Sequence, residues 1–207
     1  MATVDQLKAY EQVLLQHTSA LDVPVTEVVI FKLRGDRSEA TLNQIKTDFL
    51  MNAARGKGVN RTAWGCSLDD PSTVIVMFDW QRIQDHWAFW GTDLFPPVMQ
   101  CISTVFEEGR PLVRHYKFDP PGMLDTRYVR VLVWDEGVER RPEEMVSAVS
   151  NQNQTWIQRK GAFAVDMNEM TWYCELQGFS SEADARASRT VPRGETHLIE
   201  LELVVPN

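Results

Sequence analysis

The chain has 207 residues, of which 43% are hydrophobic and 10% aromatic, and its formal net charge is −8 at pH 7. A chain of this length fits one large domain or two small ones, with ample apolar material for a core. The acidic balance argues against nucleic acid or an acidic membrane surface as a main partner, because both require a basic face.

The N-terminal sequence MATVDQLKAYEQVLLQH has charges scattered through it and lacks the apolar segment of a signal peptide. No run of about 18 apolar residues occurs in the sequence, so no membrane-spanning helix is expected. Cys66, Cys101 and Cys174 are odd in number and far apart, which fits a reducing compartment better than a disulfide framework. The sequence therefore predicts a cytoplasmic protein that has no membrane partner.

The first half of the chain follows the order β-α-β-β-α-β after an N-terminal amphipathic helix over 4–18. A β-branched strand opens the unit, and the helix after it has Ser38 as its cap and glycines at its end. The DDPS turn then joins two more strands. The elements predicted after the N-terminal helix are a strand at 25–33, a helix at 38–58, strands at 59–68 and 73–80, helices at 81–90 and 97–107, and a strand at 109–118.

The proline- and glycine-rich segment DPPGMLDT connects this half to a second one with the same element order. We expect an N-terminal helical extension at 1–22, a first unit at 23–119, a linker at 120–126 and a second unit at 127–207. The second unit is predicted to contain strands at 127–134, 160–167, 170–179 and 196–205, and helices at 141–157 and 180–189.

A β-α-β-β-α-β unit is ferredoxin-like, and its sheet has helices on one face and a bare apolar face on the other. Two such units in one chain can cover each other's bare faces. The sequence thus predicts an α+β fold of two tandem ferredoxin-like units, packed sheet to sheet as an intramolecular α/β barrel. Such an internal pseudo-dimer is expected to be a monomer or a weak homodimer.

Three stretches of the first unit resemble the dimeric α/β-barrel superfamily, which includes antibiotic-biosynthesis monooxygenases, stress-responsive A/B-barrel proteins and polyketide cyclases. They are VTEVVIFKL, the W-G-x-S-x-D-D-P stretch from Trp64 to Pro71, and the F-D-W-x-x-x-x-x-H stretch from Phe78 to His86. The resemblance covers 25–118 well and 127–205 by element order. It implies a fused version of a barrel usually made from two chains, and it indicates architecture more than reaction.

His86 lies in the predicted helix at 81–90, inside an apolar arc that includes Ile83, Trp87, Phe89 and Trp90. One interpretation is a core histidine that hydrogen-bonds a carbonyl or carboxylate. The other is a proton-transfer residue at the wall of an aromatic pocket. We predict that the site lies in the first unit, between its sheet and this helix.

Aligning the two units by element places polar residues of the second unit beside apolar residues of the first. Val29 aligns with Arg130, Val76 with Glu175, and His86 with Ala185. Tyr128, Tyr173 and Gln177 share the polar face of the second unit. This face is either solvated or the wall of a polar cavity. Because the units have diverged, any catalytic set is expected once.

Further candidates flank His86 in the sequence. Asp79 is placed to orient His86 or, with greater weight, to cap the following helix. His115 lies on the closing strand and faces either in or out, while His17 and His197 rank low. Asn60 and Trp64 stand where the resemblance implies residues that hold an aromatic phenolate in cofactor-free monooxygenases. The predicted catalytic residues are His86, Asp79 and His115, and the predicted substrate-binding residues are Asn60, Trp64, Trp80, Trp87, Phe89, Trp90, Tyr128, Arg130, Tyr173 and Glu175.

The sequence has no His-x-x-x-His, Cys-x-x-Cys, glycine-rich phosphate loop or Gly-x-Ser-x-Gly, so no metal, nucleotide or serine-hydrolase site is expected. The favoured hypothesis is a cofactor-independent enzyme acting on a hydrophobic polyketide- or terpenoid-like molecule by cyclisation, isomerisation, dehydration or decarboxylation. The alternatives are a cofactor-free or haem-type monooxygenase and a non-catalytic stress-responsive or ligand-binding barrel.

Overall fold

The fold is described from a computed structural model, which covers residues 4–109, 112–135, 155–166, 170–188 and 194–206. The described helices are α1 Val4–His17, α2 Glu39–Gln44, a π-helical segment Ile45–Leu50, α3 Met51–Ala54, α4 Ile83–Phe89, α5 Phe95–Val105 and α6 Glu182–Ala187. The strands are β1 Val25–Lys32, β2 Val59–Cys66, β3 Thr73–Trp80, β4 Leu112–Tyr116, β5 Tyr128–Asp135, β6 Gln158–Phe163, β7 Trp172–Phe179, β8 Glu195–Glu200 and β9 Glu202–Val204. The helix predicted at 141–157 falls on a segment of which 136–154 lie outside the described residues.

The strands form two antiparallel sheets, each built mainly from one unit. Sheet one has the order β4-β1-β3-β2-β9, and sheet two has the order β6-β7-β5-β8. The two sheets pack against each other, so the predicted fold of tandem ferredoxin-like units facing each other within one chain is confirmed.

Strand alternation divides the apolar residues of sheet one between two cores. Val28 and Ile30 of β1 point toward sheet two, where they join Val129, Val131 and Ile199 in a buried cluster. The alternate residues of β1 point the other way, into a cluster formed with the helices of the first unit. Full burial of each such side chain contributes about 1.5–3 kcal/mol, so both faces of sheet one stabilise the fold.

Short bridges join the sheets at both edges. At one edge Ser67 pairs with Ile199, and the Leu68 N–H donates to the Leu198 carbonyl at 2.7 Å. At the other edge Tyr116 pairs with Ala164, and the Val165 N–H donates to the carbonyl of His115 at 2.8 Å. The second edge places the chain that leaves β6 directly beside β4.

The strand predicted at 196–205 is one element in the sequence but two in the structure. It is interrupted at Leu201, whose N–H donates to the Arg127 carbonyl at 2.7 Å, and β9 then joins sheet one beside β2. Gly65 of β2 permits this crossing, because a Cβ at that position would stand 2.5 Å from the Glu200 carbonyl oxygen. The period-two pattern of residues continues through the crossing and hides it.

The helices of the first unit cover the outer face of sheet one. Ser38 caps α2 as predicted, accepting the Thr41 N–H at 3.2 Å. The predicted continuous helix at 38–58 instead contains the π-helical segment at its centre, which buries Phe49 and Leu50 against the sheet. Among the described residues, no helix has the length and apolar character needed to cross a membrane.

Candidate functional site

A cavity of about 250 Å³ lies between the outer face of sheet one and the helices of the first unit. Of the residues that line it, Glu27 and His86 carry ionisable groups, and the others are apolar or aromatic. The lining residues are Glu27, Val29, Phe31, Phe49, Ala53, Phe78, Trp80, His86, Phe89, Trp90, Phe95, Val98, Met99, Ile102 and Val113.

Two tryptophans hold His86 at the wall of this cavity. The Trp80 ring stacks on the imidazole with centroids 5.0 Å apart, and the Trp90 ring meets it edge-on at 5.3 Å. Tyr10 of α1 stacks in turn on Trp90 at 6.2 Å. The imidazole is therefore fixed in orientation by rings from β3 and from the end of α4.

Both ring nitrogens of His86 are hydrogen-bonded. The Trp90 Nε1–H donates to His86 Nε2 at 3.1 Å, and His86 Nδ1 lies 2.8 Å from His115 Nε2. His115 Nδ1 lies 2.8 Å from Asp166 Oδ1, and the His115 backbone N–H donates to Asp166 Oδ2 at 2.6 Å. Trp90, His86, His115 and Asp166 thus form a continuous hydrogen-bond chain.

The chemistry of its end groups sets the direction of this chain. An indole N–H can only donate, so His86 Nε2 is an acceptor and the proton of the neutral ring lies on Nδ1. That proton points at His115 Nε2, which must then accept, and His115 donates from Nδ1 to the Asp166 carboxylate. Every bond in the chain then has one donor and one acceptor, with both histidines neutral.

Sheet register brings Glu27 to the same place. Glu27 of β1 is paired directly with His115 of β4, so the two side chains share the outer face of sheet one. Glu27 Oε2 accepts the Trp80 Nε1–H at 2.8 Å, and it lies 3.8 Å from His86 Nδ1 and 3.9 Å from His115 Nε2. Of the two orientations that the sequence allowed for His115, the structure shows the one that faces the site.

Glu27, His86 and Asp166 lie in different electrostatic environments. Burial raises the pKa of the Glu27 carboxyl above its ordinary value. Burial also lowers the pKa of His86 well below its ordinary value, and the neighbouring His115 lowers it further. For Asp166, burial acts to raise the pKa, but the charge and hydrogen bonds of His115 outweigh it and lower the pKa.

Glu27, His86 and His115 also offer metal-ligand atoms that all lie within 4.8 Å of one another. Two histidines and a carboxylate are a known ligand set for iron and zinc. However, His86 Nδ1 and His115 Nε2 are only 2.8 Å apart, whereas two nitrogens on one tetrahedral zinc lie about 3.3 Å apart. Because Trp90 donates to His86 Nε2, the proton of the neutral ring lies on Nδ1, the nitrogen that a metal would need. The geometry therefore favours a proton chain over a metal site, and the absence of a metal stays a prediction.

Asp79 stands on the opposite face of β3 from Trp80, and so away from His86. It accepts the Thr26 hydroxyl at 2.7 Å and the Met123 N–H at 2.9 Å, which ties the connector to sheet one. The cap position of α4 is occupied by Arg82, with no side-chain cap. The expected capping role of Asp79 is therefore wrong, because strand alternation turns its side chain toward the connector.

The remaining aromatic candidates divide into two groups. Trp80, Phe89 and Trp90 line the cavity, whereas Trp64 and Trp87 are buried in the adjoining core and are absent from its lining. The Trp64 ring lies under the ammonium group of Lys46, 5.3 Å from its centroid. Asn60 is exposed and accepts the side-chain amide of Gln81 at 3.2 Å, so the structure does not bring it to the cavity.

The polar face of the second unit is largely buried and contains one closely hydrogen-bonded ion pair. Arg159 donates two hydrogen bonds of 2.8 Å to Glu175, whose side chain is 2% exposed. Arg130 donates to the Ala185 carbonyl at 3.0 Å, and Tyr173 packs against Trp134 with centroids 4.9 Å apart. Tyr128 lies under the guanidinium of Arg127. Tyr128 is half-buried, and none of these residues lines the cavity in the first unit.

Sequence reasoning missed two members of the site. Glu27 interrupts the apolar strand VTEVVIFKL and is 5% exposed, so a lone acid in a buried strand was the available signal. Asp166 lies just beyond β6 in the second unit. It reaches His115 only through the edge bridge between the sheets, and nothing local in the sequence indicates that bridge.

No family model matches the chain, and no curated protein sequence matches it. Solved structures share its fold. An anthrone oxidase-like protein is 12% identical with a TM-score of 0.62, and the match covers 89% of this chain and 92% of that one. A candidate monooxygenase from Fusobacterium nucleatum subsp. nucleatum is 12% identical with a TM-score of 0.55, and the match covers 88% of this chain and 93% of that one. A candidate chlorite dismutase is also 12% identical, with a TM-score of 0.56 and coverage of 87% and 95%. These likenesses span both units and confirm the fold of two tandem ferredoxin-like units.

Proposed function

We propose that the protein is a cofactor-independent enzyme that transfers protons on a hydrophobic, oxygen-bearing small molecule of polyketide or terpenoid type. The hydrogen-bond chain from Trp90 through His86 and His115 to Asp166 carries this proposal. It begins at the wall of an apolar cavity and ends at an ionised carboxylate outside it. A packed structural histidine needs partners for its nitrogens, but it does not need a cavity at one end and a buried charge at the other.

The hydrogen-bond chain makes His86 a stronger base than a buried histidine would be alone. Burial makes His86 alone a weak base, because its cationic form is poorly solvated. When His86 Nε2 accepts a proton from the substrate, Nδ1 can pass its own proton to His115 Nε2. The positive charge then rests on His115, where the Asp166 carboxylate stabilises it. The net result is proton uptake at the cavity and charge storage beside Asp166.

Trp90 occupies the position of the substrate in this scheme. Its N–H donates to the same His86 lone pair that would accept a substrate proton. A substrate with an acidic C–H or O–H replaces the indole at Nε2, and the Trp90 ring then forms part of the binding wall. General-base catalysis of this kind contributes about 10²–10⁴-fold in rate. Enolisation is a shared first step of the cyclisations and isomerisations that fit the site.

The test is solvent exchange on a model ketone, which does not require the native substrate. β-Tetralone carries acidic protons beside its carbonyl, and NMR in deuterated water follows their replacement. We expect the wild-type protein to accelerate exchange and His86→Gln to lose at least a hundredfold of that acceleration.

The matched control is His197→Gln. His197 is also buried and bonded on both sides, 3.1 Å from Ser67 Oγ and 2.9 Å from Glu195 Oε1, but it lies in the second unit. Its variant should exchange like the wild type per folded molecule. Equal exchange by the wild type and by His86→Gln would refute the proposal.

A second candidate is a cofactor-free monooxygenase that shares the first step. Its support is that two structures of the same fold are named as a candidate monooxygenase and an anthrone oxidase-like protein. With β-tetralone as the probe, proton removal gives a carbanion that reacts with dioxygen, and the balanced products are the 1,2-diketone and water. Oxygen uptake dependent on β-tetralone and on His86 would favour this reading, and a Soret band would favour a haem enzyme. Ligand binding without exchange or oxygen uptake would favour a non-catalytic barrel.

A further inference from the structure

We propose that Glu27 is a neutral hydrogen-bond donor that selects the ligand of the cavity, namely an uncharged two-ring molecule with a carbonyl or hydroxyl oxygen. This inference rests on the proposed function for the identity of the site, and it names the chemical class of substrate. It assigns to Glu27 a role different from that of Asp166, the other carboxyl beside His115.

The contacts of Glu27 are those of a carboxylic acid rather than a carboxylate. The side chain is 7% exposed, and within the described part of the chain Trp80 is the one residue that donates a hydrogen bond to it. The nearest histidine nitrogens are 3.8 and 3.9 Å away and already bond each other. Among the residues that the structure describes, no lysine or arginine forms an ion pair with Glu27. A buried carboxylate with one neutral donor is strongly disfavoured.

Asp166 shows what an ionised carboxyl at this site requires. It accepts both the backbone N–H and the ring of His115, at 2.6 and 2.8 Å, and the charge of Arg114 also favours its ionised form. The pKa shifts of the two carboxyls follow these contacts, upward for Glu27 from burial and downward for Asp166. Paired carboxyls whose environments separate their titration divide into an acid and a charge stabiliser.

In a protonated Glu27, one oxygen is already hydrogen-bonded and the other is available to a ligand. Oε2 accepts the Trp80 N–H, so the hydroxyl on the other oxygen is the donor available to a ligand. A carbonyl or hydroxyl oxygen can accept that bond, and the bond strengthens as the oxygen becomes negative during enolisation. A ligand carboxylate would instead enter a cavity whose ionisable lining groups are Glu27 and His86, with no fixed cation to compensate its charge.

The cavity size limits the ligand. An engineered cavity of about 150 Å³ binds benzene, so a cavity of about 250 Å³ fits two fused rings, or roughly ten heavy atoms. The aromatic lining favours flat, apolar rings, which stack or meet edge-on with neighbouring aromatic side chains.

The experiment measures binding of three probes to the full chain by calorimetry at pH 6: β-naphthol, naphthalene and β-naphthoate. We expect β-naphthol to bind about tenfold tighter than either of the others, the size of one hydrogen bond. Glu27→Gln keeps a neutral donor and should keep this preference, whereas Glu27→Leu keeps the volume and should lose it. Equal binding of naphthol and naphthalene, tighter binding of naphthoate, or a preference retained in Glu27→Leu would each overturn the inference.

The pH dependence supplies a second measurement that does not need Glu27→Leu to fold. Glu27 is faced by His115 from β4, by His86 from α4 and by Trp80 from β3, with Asp166 behind His115. The naphthol preference of the wild type should fall as pH rises and Glu27 loses its proton, while Glu27→Gln should keep its preference. A wild-type preference that follows the same pH course as Glu27→Gln overturns the inference. Because these readouts are binding, a failed tetralone exchange with an intact naphthol preference would remove the proposed function alone.

Discussion

The outer faces of the two sheets differ in what occupies their equivalent strand positions. On sheet one these positions hold apolar residues around a cavity, with Glu27 in its lining and His115 beside Glu27 on the next strand. On sheet two they hold the Arg159–Glu175 pair, which satisfies itself with hydrogen bonds. The helix position of His86 is taken by Ala185 in the sequence alignment of the units. Equivalent strand positions therefore line a cavity on sheet one and hold buried polar contacts on sheet two.

The second unit, which does not contain the cavity, still contributes a residue to the site in the first unit. Asp166 follows β6 of the second unit, yet it bonds His115 of the first. The bridge between Tyr116 and Ala164 makes this contact possible. The site therefore requires both units, although its cavity lies within one.

The largest expected effect is a loss of stability when the buried ion pair on the outer face of sheet two is broken. Glu175→Gln leaves the Arg159 guanidinium without its carboxylate in a largely buried setting, and breaking such a pair costs about 3–5 kcal/mol in unfolding free energy. Chemical denaturation should show this loss, while exchange activity per folded molecule stays unchanged. The double variant Glu175→Gln/Arg159→Gln should recover much of the stability. A loss of activity beyond the folded fraction would contradict the division between the faces.

The next largest effect is a loss of activity when His86, at the cavity on sheet one, is replaced. His86→Gln should reduce catalysed exchange by at least about a hundredfold, because the amide cannot shuttle protons at neutral pH. The unfolding free energy should fall by only about 1–3 kcal/mol, from lost buried hydrogen bonds. Single-turnover kinetics measured beside thermal melting separate the two. Near-normal activity per folded molecule would leave His86 as a core residue.

A smaller effect tests the contact between the units. Asp166→Asn keeps the shape of the side chain but removes the charge that stabilises a cationic His115. A hydrogen bond to a charged group is worth about 1.5–3 kcal/mol, so activity should fall by about ten- to a hundredfold. Asp125→Asn, in the connector and with an 86% exposed side chain, is the matched control. If both variants behave alike, Asp166 does not assist the base.

The smallest effect concerns pH and stability. The folded-state pKa of His86 lies below its ordinary value of 6.5, so the unfolded chain takes up a proton first as pH falls. This contribution to stability is present above about pH 6.5 and is lost as pH falls through the folded-state pKa. Denaturation between pH 7 and 5 should show stability falling, with a shallower slope in His86→Gln. Parallel slopes in the two proteins would show that His86 is not the titrating group.

Local patterns predicted the tandem fold, the Ser38 cap and the helix that carries His86, because each depends on the spacing of neighbouring residues. The sequence could not reveal the break at Leu201, since the alternating pattern of residues runs unchanged from β8 into β9. Asp79 was misassigned because the prediction rested on its nearness to His86 in the sequence. Strand alternation turns its side chain to the other face of sheet one. Asp166 was missed because its partner is 51 residues away and belongs to the other unit.

The crossing of β9 into sheet one also orders events during synthesis. Until Glu202–Val204 has left the ribosome, β2 is an edge strand with unpaired N–H and carbonyl groups along Thr62–Trp64. Such an edge is a template for pairing with other chains. The first unit can therefore gain its cavity early, but β2 is covered only after β9 of the second unit has been synthesised, and the short β9 then forms that edge of the sheet.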